Sequence, residues 1–171
     1  MRKSVLLMFL LFAVGMTASA QKFALIDMEY ILKNIPAYER ANEQLNQASK
    51  KWQSEVEKVA EEAKTLYKNY QSEAVFLSEE QKGKKEEAIV AKEREAAELR
   101  RTYFGPEGEL FKKRESLMQP IQDEIYNAVK EISEQKGYSV VVDRASAASI
   151  IFASPQIDIS NEVLAKLGYS N

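Results

Sequence analysis

Two residue types are absent from this sequence of 171 residues, which contains no histidine and no cysteine. Without histidine the chain lacks the commonest general acid or base, and without cysteine it has no thiol nucleophile and no disulfide bond. The phosphate-binding patterns G-x-x-x-x-G-K-S/T and G-x-G-x-x-G do not occur either. Catalysis by carboxylates, by Ser/Lys or by Tyr stays open, but no paired motif supports it. We therefore predict no enzyme activity, no cofactor and no metal site.

The first 20 residues have the order of features that is typical of a secretory signal peptide. Arg2 and Lys3 precede an apolar run over residues 5–14, which is too short to span a bilayer. Small residues follow this run, which predicts cleavage between Ala20 and Gln21. Because position 21 is not a cysteine, no lipid anchor is expected on the mature chain.

Positive charge is not in excess in the mature chain. Removing Arg2 and Lys3 from the 24 basic residues leaves 22, against 26 acidic residues, so the formal charge is 22 − 26 = −4. Proteins that bind nucleic acids normally carry a concentrated basic face. We therefore predict no nucleic-acid partner.

A regular apolar stripe follows Pro36, a residue that suits the first turn of a helix. Its average step of about 3.6 residues is the period of a straight α-helix, whereas a strict coiled-coil seam repeats every 3.5 residues. A helix of this length, roughly 60 Å at 1.5 Å per residue, needs a partner along its shaft. The stripe consists of Tyr38, Ala41, Leu45, Ala48, Trp52, Val56, Val59, Ala63, Leu66, Tyr70 and Ala74.

The partner of this helix is predicted to be the next segment of the chain. Residues 76–80 interrupt the stripe, and Ser78 with Gln81 has the spacing of a capping box. The tip of a helical hairpin is therefore expected near 76–80, with a returning arm from Ser78 to Lys136 that stops at Gly137.

The returning arm contains the stretch GPEG, which could be a domain boundary, a working loop or a hinge. The helical pattern resumes after it, and no phosphate-loop or catalytic spacing accompanies it. Proline in a helix removes a hydrogen bond and clashes with the preceding turn, and glycine eases bending. We predict a hinge, with a kink near 105–108, formed by Gly105, Pro106 and Gly108.

The two ends of the mature chain are predicted to form short strands. Residues 23–28 and 138–143 are apolar or β-branched runs, and residues 149–153 are expected to form a hairpin with the second of these strands. Ser160 is expected to cap a last helix over residues 161–167, ended by Gly168. Asp143 and Arg144 are interpreted as stabilising a turn or a contact between subunits, because no base or nucleophile accompanies them.

The predicted fold class is α+β, with a long antiparallel helical hairpin on a small β body. The predicted domains are a signal peptide over 1–20, a β body from 21–35 and 137–171, and a hairpin tentacle over 36–136. So few strands leave unpaired edges and little buried surface, so the β body is expected to be completed by oligomerisation.

With this order of parts, the segments "QPIQDEIYNAVKEISEQKGYSVVVD" and "DISNEVLAKL" resemble the Skp/OmpH family of periplasmic chaperones. The resemblance implies a homotrimer in which strands of three subunits form a β body and three helical tentacles surround a cavity. It also implies an ATP-independent periplasmic holdase whose partners are unfolded outer-membrane β-barrel proteins. The alternative is a structural coiled-coil adaptor or spacer of the envelope that binds one folded partner.

Three aromatic residues near the tip are candidates for contact with clients, or for packing between the arms: Tyr67, Tyr70 and Phe76. The resemblance further implies weak contact with a membrane or with lipopolysaccharide. The familiar members are strongly basic, however, and this chain is not, so no lipopolysaccharide site is carried over. The basic runs 82–85 and 112–114 adjoin glutamates and are interpreted as solvated helix faces with i, i+4 ion pairs.

Overall fold

The computed structural model describes residues 22–147 and 149–169. The predicted signal peptide and its cleavage site at Ala20 and Gln21 lie outside the described residues. Contacts divide the chain into two compact units, one formed by residues 22–31 with 127–169 and the other by Leu32–Tyr126. The predicted domains, a β body over 21–35 and 137–171 and a tentacle over 36–136, stay a prediction.

The unit Leu32–Tyr126 is built on two long antiparallel helices, α2 (Pro36–Glu73) and α3 (Glu79–Phe104). The proline stands in the first turn of α2, as predicted, because its missing N–H is not needed there. A single 3₁₀ turn, Ala74–Phe76, ends the first arm. Ser78 then caps α3 in the predicted capping box, since its backbone N–H donates to Gln81 at 2.9 Å and its hydroxyl accepts from the Gln81 N–H at 3.3 Å.

Burial along the two arms is thin. The predicted stripe of α2 is buried at Ala41, Leu45, Val56 and Ala63, whereas α3 has only Ile89 fully buried. Two helices alone can cover one stripe of each other, so the remaining faces stay in contact with solvent. The hairpin therefore has a narrow core with exposed surface on either side.

The returning arm consists of two helices rather than one, because the chain breaks between α3 and α4 (Glu109–Lys136). The N–H of Gly105 donates to the carbonyl of Arg101 at 2.9 Å, and the N–H of Gly108 donates to the carbonyl of Gly105 at the same distance. A Cβ on Gly105 would lie 2.4 Å from the carbonyl oxygen of Arg101. One on Gly108 would lie 2.8 Å from the carbonyl oxygen of Thr102. The break is a tight, hydrogen-bonded turn that requires both glycines.

The other unit contains two parallel strands, β1 (Lys22–Ile26) and β2 (Tyr138–Asp143). Met28, expected at the end of the first strand, instead begins the short helix α1 (Met28–Lys33). The chain after β2 turns toward β1, since the N–H of Arg144 donates to the carbonyl of Ile26 at 2.8 Å. Asp158 then bridges to Leu25, which places it on the side of β1 away from β2.

The predicted third strand over residues 149–153 is wrong, because none of these residues is in a strand. A hairpin with β2 would need the chain to fold back along β2, whereas the turn after Asp143 directs it across the end of β1. Ile151 is consequently 100% exposed and Phe152 is 85% exposed. Residues 149–153 have the β-branched pattern of a strand, but they do not lie beside an edge of β1 or β2 with which they could pair.

The last helix is α5 (Ser160–Lys166), and the predicted cap at Ser160 is wrong in detail. Ser160 is the first residue of the helix, and its N–H and hydroxyl donate to Asp158 at 2.9 and 2.6 Å. Gly137 and Gly168 end their helices with φ angles of +71° and +83°, as predicted, because glycine adopts this conformation without strain. None of the described helices combines the length and apolarity that crossing a bilayer requires.

Candidate functional site

One side of the hairpin carries polar contacts that join the two arms. Glu55 accepts a hydrogen bond from the Tyr103 hydroxyl at 2.5 Å. Glu62 pairs with Lys92 at 3.0 Å, and Glu73 pairs with Lys85 nearer the tip. The glutamates are spaced by 7 and 11 residues, as are their partners, so each set occupies one helix face. We call this face the bridged side.

Most of the bridging groups are half-buried between the arms, and their protonation reflects their partners. Hydrogen bonds to Glu95 and Glu62 raise the pKa of the Lys92 ammonium, which therefore stays charged at neutral pH. The hydrogen bond to Glu55 raises the pKa of the Tyr103 phenol, so that hydroxyl stays protonated and can donate. The bridged side is thus a set of fixed polar contacts rather than a proton-transfer site.

The other side of the hairpin holds a groove of about 530 Å³, which we call the open groove. Four alanines contribute to its surface, so no long side chain of either arm fills it. Charged residues make up three of its nine lining positions. The lining residues are Val56, Ala60, Ala63, Lys64, Tyr67, Glu93, Ala96, Ala97 and Arg100.

A more open depression of about 640 Å³ lies on the bridged side, and its lining differs. Four of its six lining residues are charged, namely Lys58, Glu61, Glu62 and Lys92, with Thr65 and Leu66 between them. The apolar surface there includes the stems of lysines, whose charged ends stay in water. The two sides of the hairpin therefore differ in the residues that line them, with alanines and Tyr67 on one side and paired charged side chains on the other.

The structure separates the three aromatic candidates. Tyr67 is 49% exposed and lines the open groove. The Tyr70 hydroxyl donates to Glu86 on the opposite arm at 2.5 Å, and this hydrogen bond raises the pKa of the phenol. Phe76 is 86% exposed at the tip, beside Val75 at 84%. Tyr67 and Phe76 are thus accessible at different places, and Tyr70 joins the arms.

The basic runs are paired with glutamates only in part, and the i, i+4 spacing that was predicted occurs once. Lys82 and Lys84 form ion pairs with Glu79 and Glu80 in their own helix, at 2.7 and 2.6 Å. In the second run, Lys112 pairs with Glu109 at 3.1 Å. Exposed pairs of this kind contribute little to stability. Residues 79–87 next to the tip contain four glutamates and three lysines, so they carry no excess of positive charge.

Asp143 and Arg144 do not pair with each other. The Arg144 guanidinium forms ion pairs with Asp27 at 3.1 Å and with Asp158 at 3.4 Å. The Asp143 carboxylate accepts the N–H groups of Met28 and Ala145 at 3.0 and 3.1 Å. The two side chains hold the turns at the ends of β1 and β2 in place, and the sequence did not identify Asp27 or Asp158 as partners of Arg144.

Burial of Asp143 opposes its ionisation, but hydrogen bonds from Met28, Ser146 and Ala145 outweigh that effect and lower its pKa. Within residues 22–147 and 149–169, no three acidic side chains are grouped so that they could hold a metal ion.

Comparisons with known proteins agree on one family. Residues 22–167 match the family model described as Outer membrane protein (OmpH-like). The chain is 25% identical over 154 residues to the Chaperone protein Skp of Yersinia enterocolitica, covering 89% of each. A crystal structure of an OmpH-like outer membrane chaperone from Caulobacter crescentus shares the fold, with a TM-score of 0.69 at 12% identity over 86% of this chain and 84% of that one. The chain therefore belongs to the OmpH-like family of outer membrane protein chaperones, which are not enzymes.

Proposed function

We propose that this protein is an ATP-independent periplasmic holdase that keeps unfolded outer-membrane β-barrel proteins soluble. The observation that carries the proposal is the accessible apolar surface of the hairpin, at the open groove and at Val75 and Phe76 of the tip. A monomeric soluble protein normally buries such surface unless a partner uses it. The relative from Yersinia enterocolitica, named a chaperone, matches along nearly the whole chain and supports the same function.

The chemistry of the clients suits a surface of this kind. Strands of outer-membrane barrels alternate apolar and polar residues, so an unfolded barrel exposes many short apolar stretches and aggregates through them. Each exposed side chain that becomes buried contributes about 1.5–3 kcal/mol, so a few contacts bind weakly and reversibly. A holdase needs weak and reversible binding because it must release its client.

We further propose that the protein acts as a homotrimer, with the hairpins of three copies surrounding the client. The unit that contains β1 and β2 exposes Ile151, Phe152 and 45% of Val140. A two-stranded sheet with open edges and exposed apolar residues is unfavourable on its own. Association of copies would cover the open edges and the apolar residues. Export to the periplasm follows from the predicted signal peptide and is part of the same proposal.

Gly105, Pro106 and Gly108 are proposed to let the arm change direction around clients of different size. Support comes from the helix break at this point. Because a Cβ on either glycine meets backbone atoms, alanine at these positions would distort the turn rather than simply stiffen it. A test of bending must therefore compare conformers of the natural sequence with and without client.

The decisive experiment uses purified residues 21–171 and a urea-unfolded outer-membrane β-barrel protein. On dilution of the urea without ATP, light scattering should stay low at about one trimer per client. Bovine albumin at equal mass serves as the control for non-specific crowding. Aggregation as fast as with albumin would overturn the proposal.

An adaptor would instead show one stoichiometric folded partner in cellular crosslinking, where a holdase shows many outer-membrane clients.

A further inference from the structure

We propose that an extended segment of an unfolded client docks in the open groove, and that the bridged side of the hairpin faces away from it. This inference rests on the proposed holdase function and adds which face of the arm binds. The occupant is an unfolded outer-membrane β-barrel chain with apolar side chains at alternate positions.

The first argument is the difference between the two sides. The contacts of Glu55, Glu62 and Glu73 with the returning arm occupy the bridged side along most of its length. A peptide that docked there would have to displace these pairs or lie on charged groups, and desolvating a charge is costly. None of the nine residues that line the open groove forms a polar contact that joins the arms, and four of them are alanines, whose short side chains leave room for a docked chain. The contact of Tyr70 with Glu86 lies beyond these lining residues, toward the tip.

The second argument is size. From Val56 to Tyr67 the groove follows eleven residues of α2, which is about 16 Å at 1.5 Å per residue. An extended chain rises about 3.3 Å per residue, so about five residues span this length and two or three of them point to one face. The groove thus accommodates one short apolar face of a barrel strand, and Tyr67 adds an exposed ring beside it.

The third argument is charge. Lys64 and Arg100 lie at the groove together with Glu93, which gives it a net positive charge in an otherwise acidic protein. Lys64 pairs with Glu61 at 3.2 Å, whereas Arg100 forms no ion pair with any residue that the structure describes. The Arg100 guanidinium is therefore available to a carboxylate on a docked segment, with which it can form two parallel hydrogen bonds.

A second copy of the hairpin is a poorer occupant than an unfolded chain. Two identical grooves placed face to face are both concave, so they would leave a void between them instead of the close packing that interfaces need. The bridged side of another copy is itself a depression, with four charged residues among its six lining residues, so it offers no ridge that would fill the groove. An extended chain can place single side chains into the groove without this mismatch.

The test exploits the absence of cysteine from the natural sequence. Ala97→Cys in the open groove and Thr65→Cys on the bridged side each give one exposed attachment point in the full mature chain. Both are labelled with the same short photo-crosslinker and loaded with an unfolded outer-membrane β-barrel protein. We expect severalfold more client crosslinking from position 97 than from position 65.

A second comparison uses charge in place of a label. Ala97→Glu puts a carboxylate in the groove and should weaken client binding about tenfold, whereas Thr65→Glu adds the same charge on the other side and should leave binding nearly unchanged. Circular dichroism checks that both variants keep their helices. Equal crosslinking from both positions, equal affinities, or crosslinks from position 97 mainly to a second copy would each overturn the inference. Failure of the unmodified chain to prevent aggregation would instead overturn the holdase function.

Discussion

Trp52 and Tyr103 stack across the hairpin, with ring centroids 5.2 Å apart and ring planes 10° from parallel. Tyr103 also packs edge-on against Phe104 at 6.4 Å, and its hydroxyl donates to Glu55. The last turn of α3 is thereby fixed to α2 immediately before the break at Gly105. The proposed bending of the returning arm would therefore be confined to the residues that follow this contact.

Replacing Tyr103 with leucine should loosen the end of α3. The variant loses both the stacked ring and the hydrogen bond to Glu55, so amide exchange in the last turns of α3 should accelerate. Trp52 is the only tryptophan, so its fluorescence reports the loss directly. Tyr103→Phe, which keeps the ring, should show a much smaller change in emission. Identical spectra for the leucine variant and the natural protein would contradict the importance of the stack.

Two glycines of the returning arm should respond in opposite ways to alanine. A Cβ on Gly108 would lie within 2.9 Å of three backbone atoms, so Gly108→Ala should lower the free energy of unfolding by about 2 kcal/mol. Gly83 lies inside α3 with no atom within 4 Å of the added carbon, so Gly83→Ala should raise it by about 1 kcal/mol.

Urea unfolding followed by circular dichroism measures both changes. Both variants replace glycine with alanine. The difference between their free energies of unfolding therefore measures the cost of placing a Cβ against the backbone atoms around Gly108. A stable Gly108→Ala protein with unchanged client binding would show that the tight turn is dispensable.

Local signals in the sequence predicted most of the helices, because each signal depends on residues close together in the chain. The 3.6-residue stripe, the capping box of Ser78 and Gln81, and the helix stops at Gly137 and Gly168 are of this kind. The prediction of a strand at 149–153 was wrong because a strand needs a neighbouring strand to pair with. The chain leads this segment past the end of β1 instead of back along β2. The parallel pairing of β1 with β2 joins residues more than 100 positions apart, which no local pattern specifies.

The open groove and the bridged side could not be predicted for a related reason. The spacing of Glu55, Glu62 and Glu73 shows that they share a face, but their partners depend on the register of the two arms. Once the tip at Ser78 fixes that register, Lys85, Lys92 and Tyr103 fall opposite. The sequence placed Phe76 at the expected tip and Tyr67 near it, whereas the position of Tyr67 on a groove between the arms could not be predicted.

Acid should destabilise the unit that contains β1 and β2 through Asp143. Its pKa is held below its usual value in the folded protein by hydrogen bonds to the carboxylate, so the ionised form favours folding. This contribution is complete above the unfolded pKa and is lost as the pH falls through the lower folded value. Asp143→Asn should therefore be less stable than the natural protein at pH 7.

The gap between the two proteins should narrow as the pH falls below about 4, where the unfolded carboxyl takes up its proton. Thermal unfolding measured between pH 3 and pH 7 checks this. A constant difference over that range would mean that packing, and not ionisation, explains the effect of the substitution.

Self-association should depend on Ile151 and Phe152. Changing both to serine removes two large apolar side chains that are almost fully exposed in a single chain, so the fold of that chain should be unaffected. If association buries both side chains, each contributes about 1.5–3 kcal/mol to the free energy of association, so the double variant should associate at least tenfold more weakly. Analytical ultracentrifugation gives the mass, and Tyr126→Ser, which removes a ring that is 67% exposed elsewhere, is the control. A trimer of undiminished stability would exclude these residues from the interface.

Lys92 and Lys84 provide a matched test of the bridged side. Both lie in α3, but Lys92 pairs with Glu62 on the other arm, whereas Lys84 pairs with Glu80 in its own helix. Lys92→Met should therefore accelerate amide exchange in both arms around Glu62, while Lys84→Met, with the same change of charge, should affect α3 alone. Client affinity should be nearly unchanged in both variants, because neither residue lines the open groove. A large loss of affinity in Lys92→Met alone would place the client on the bridged side.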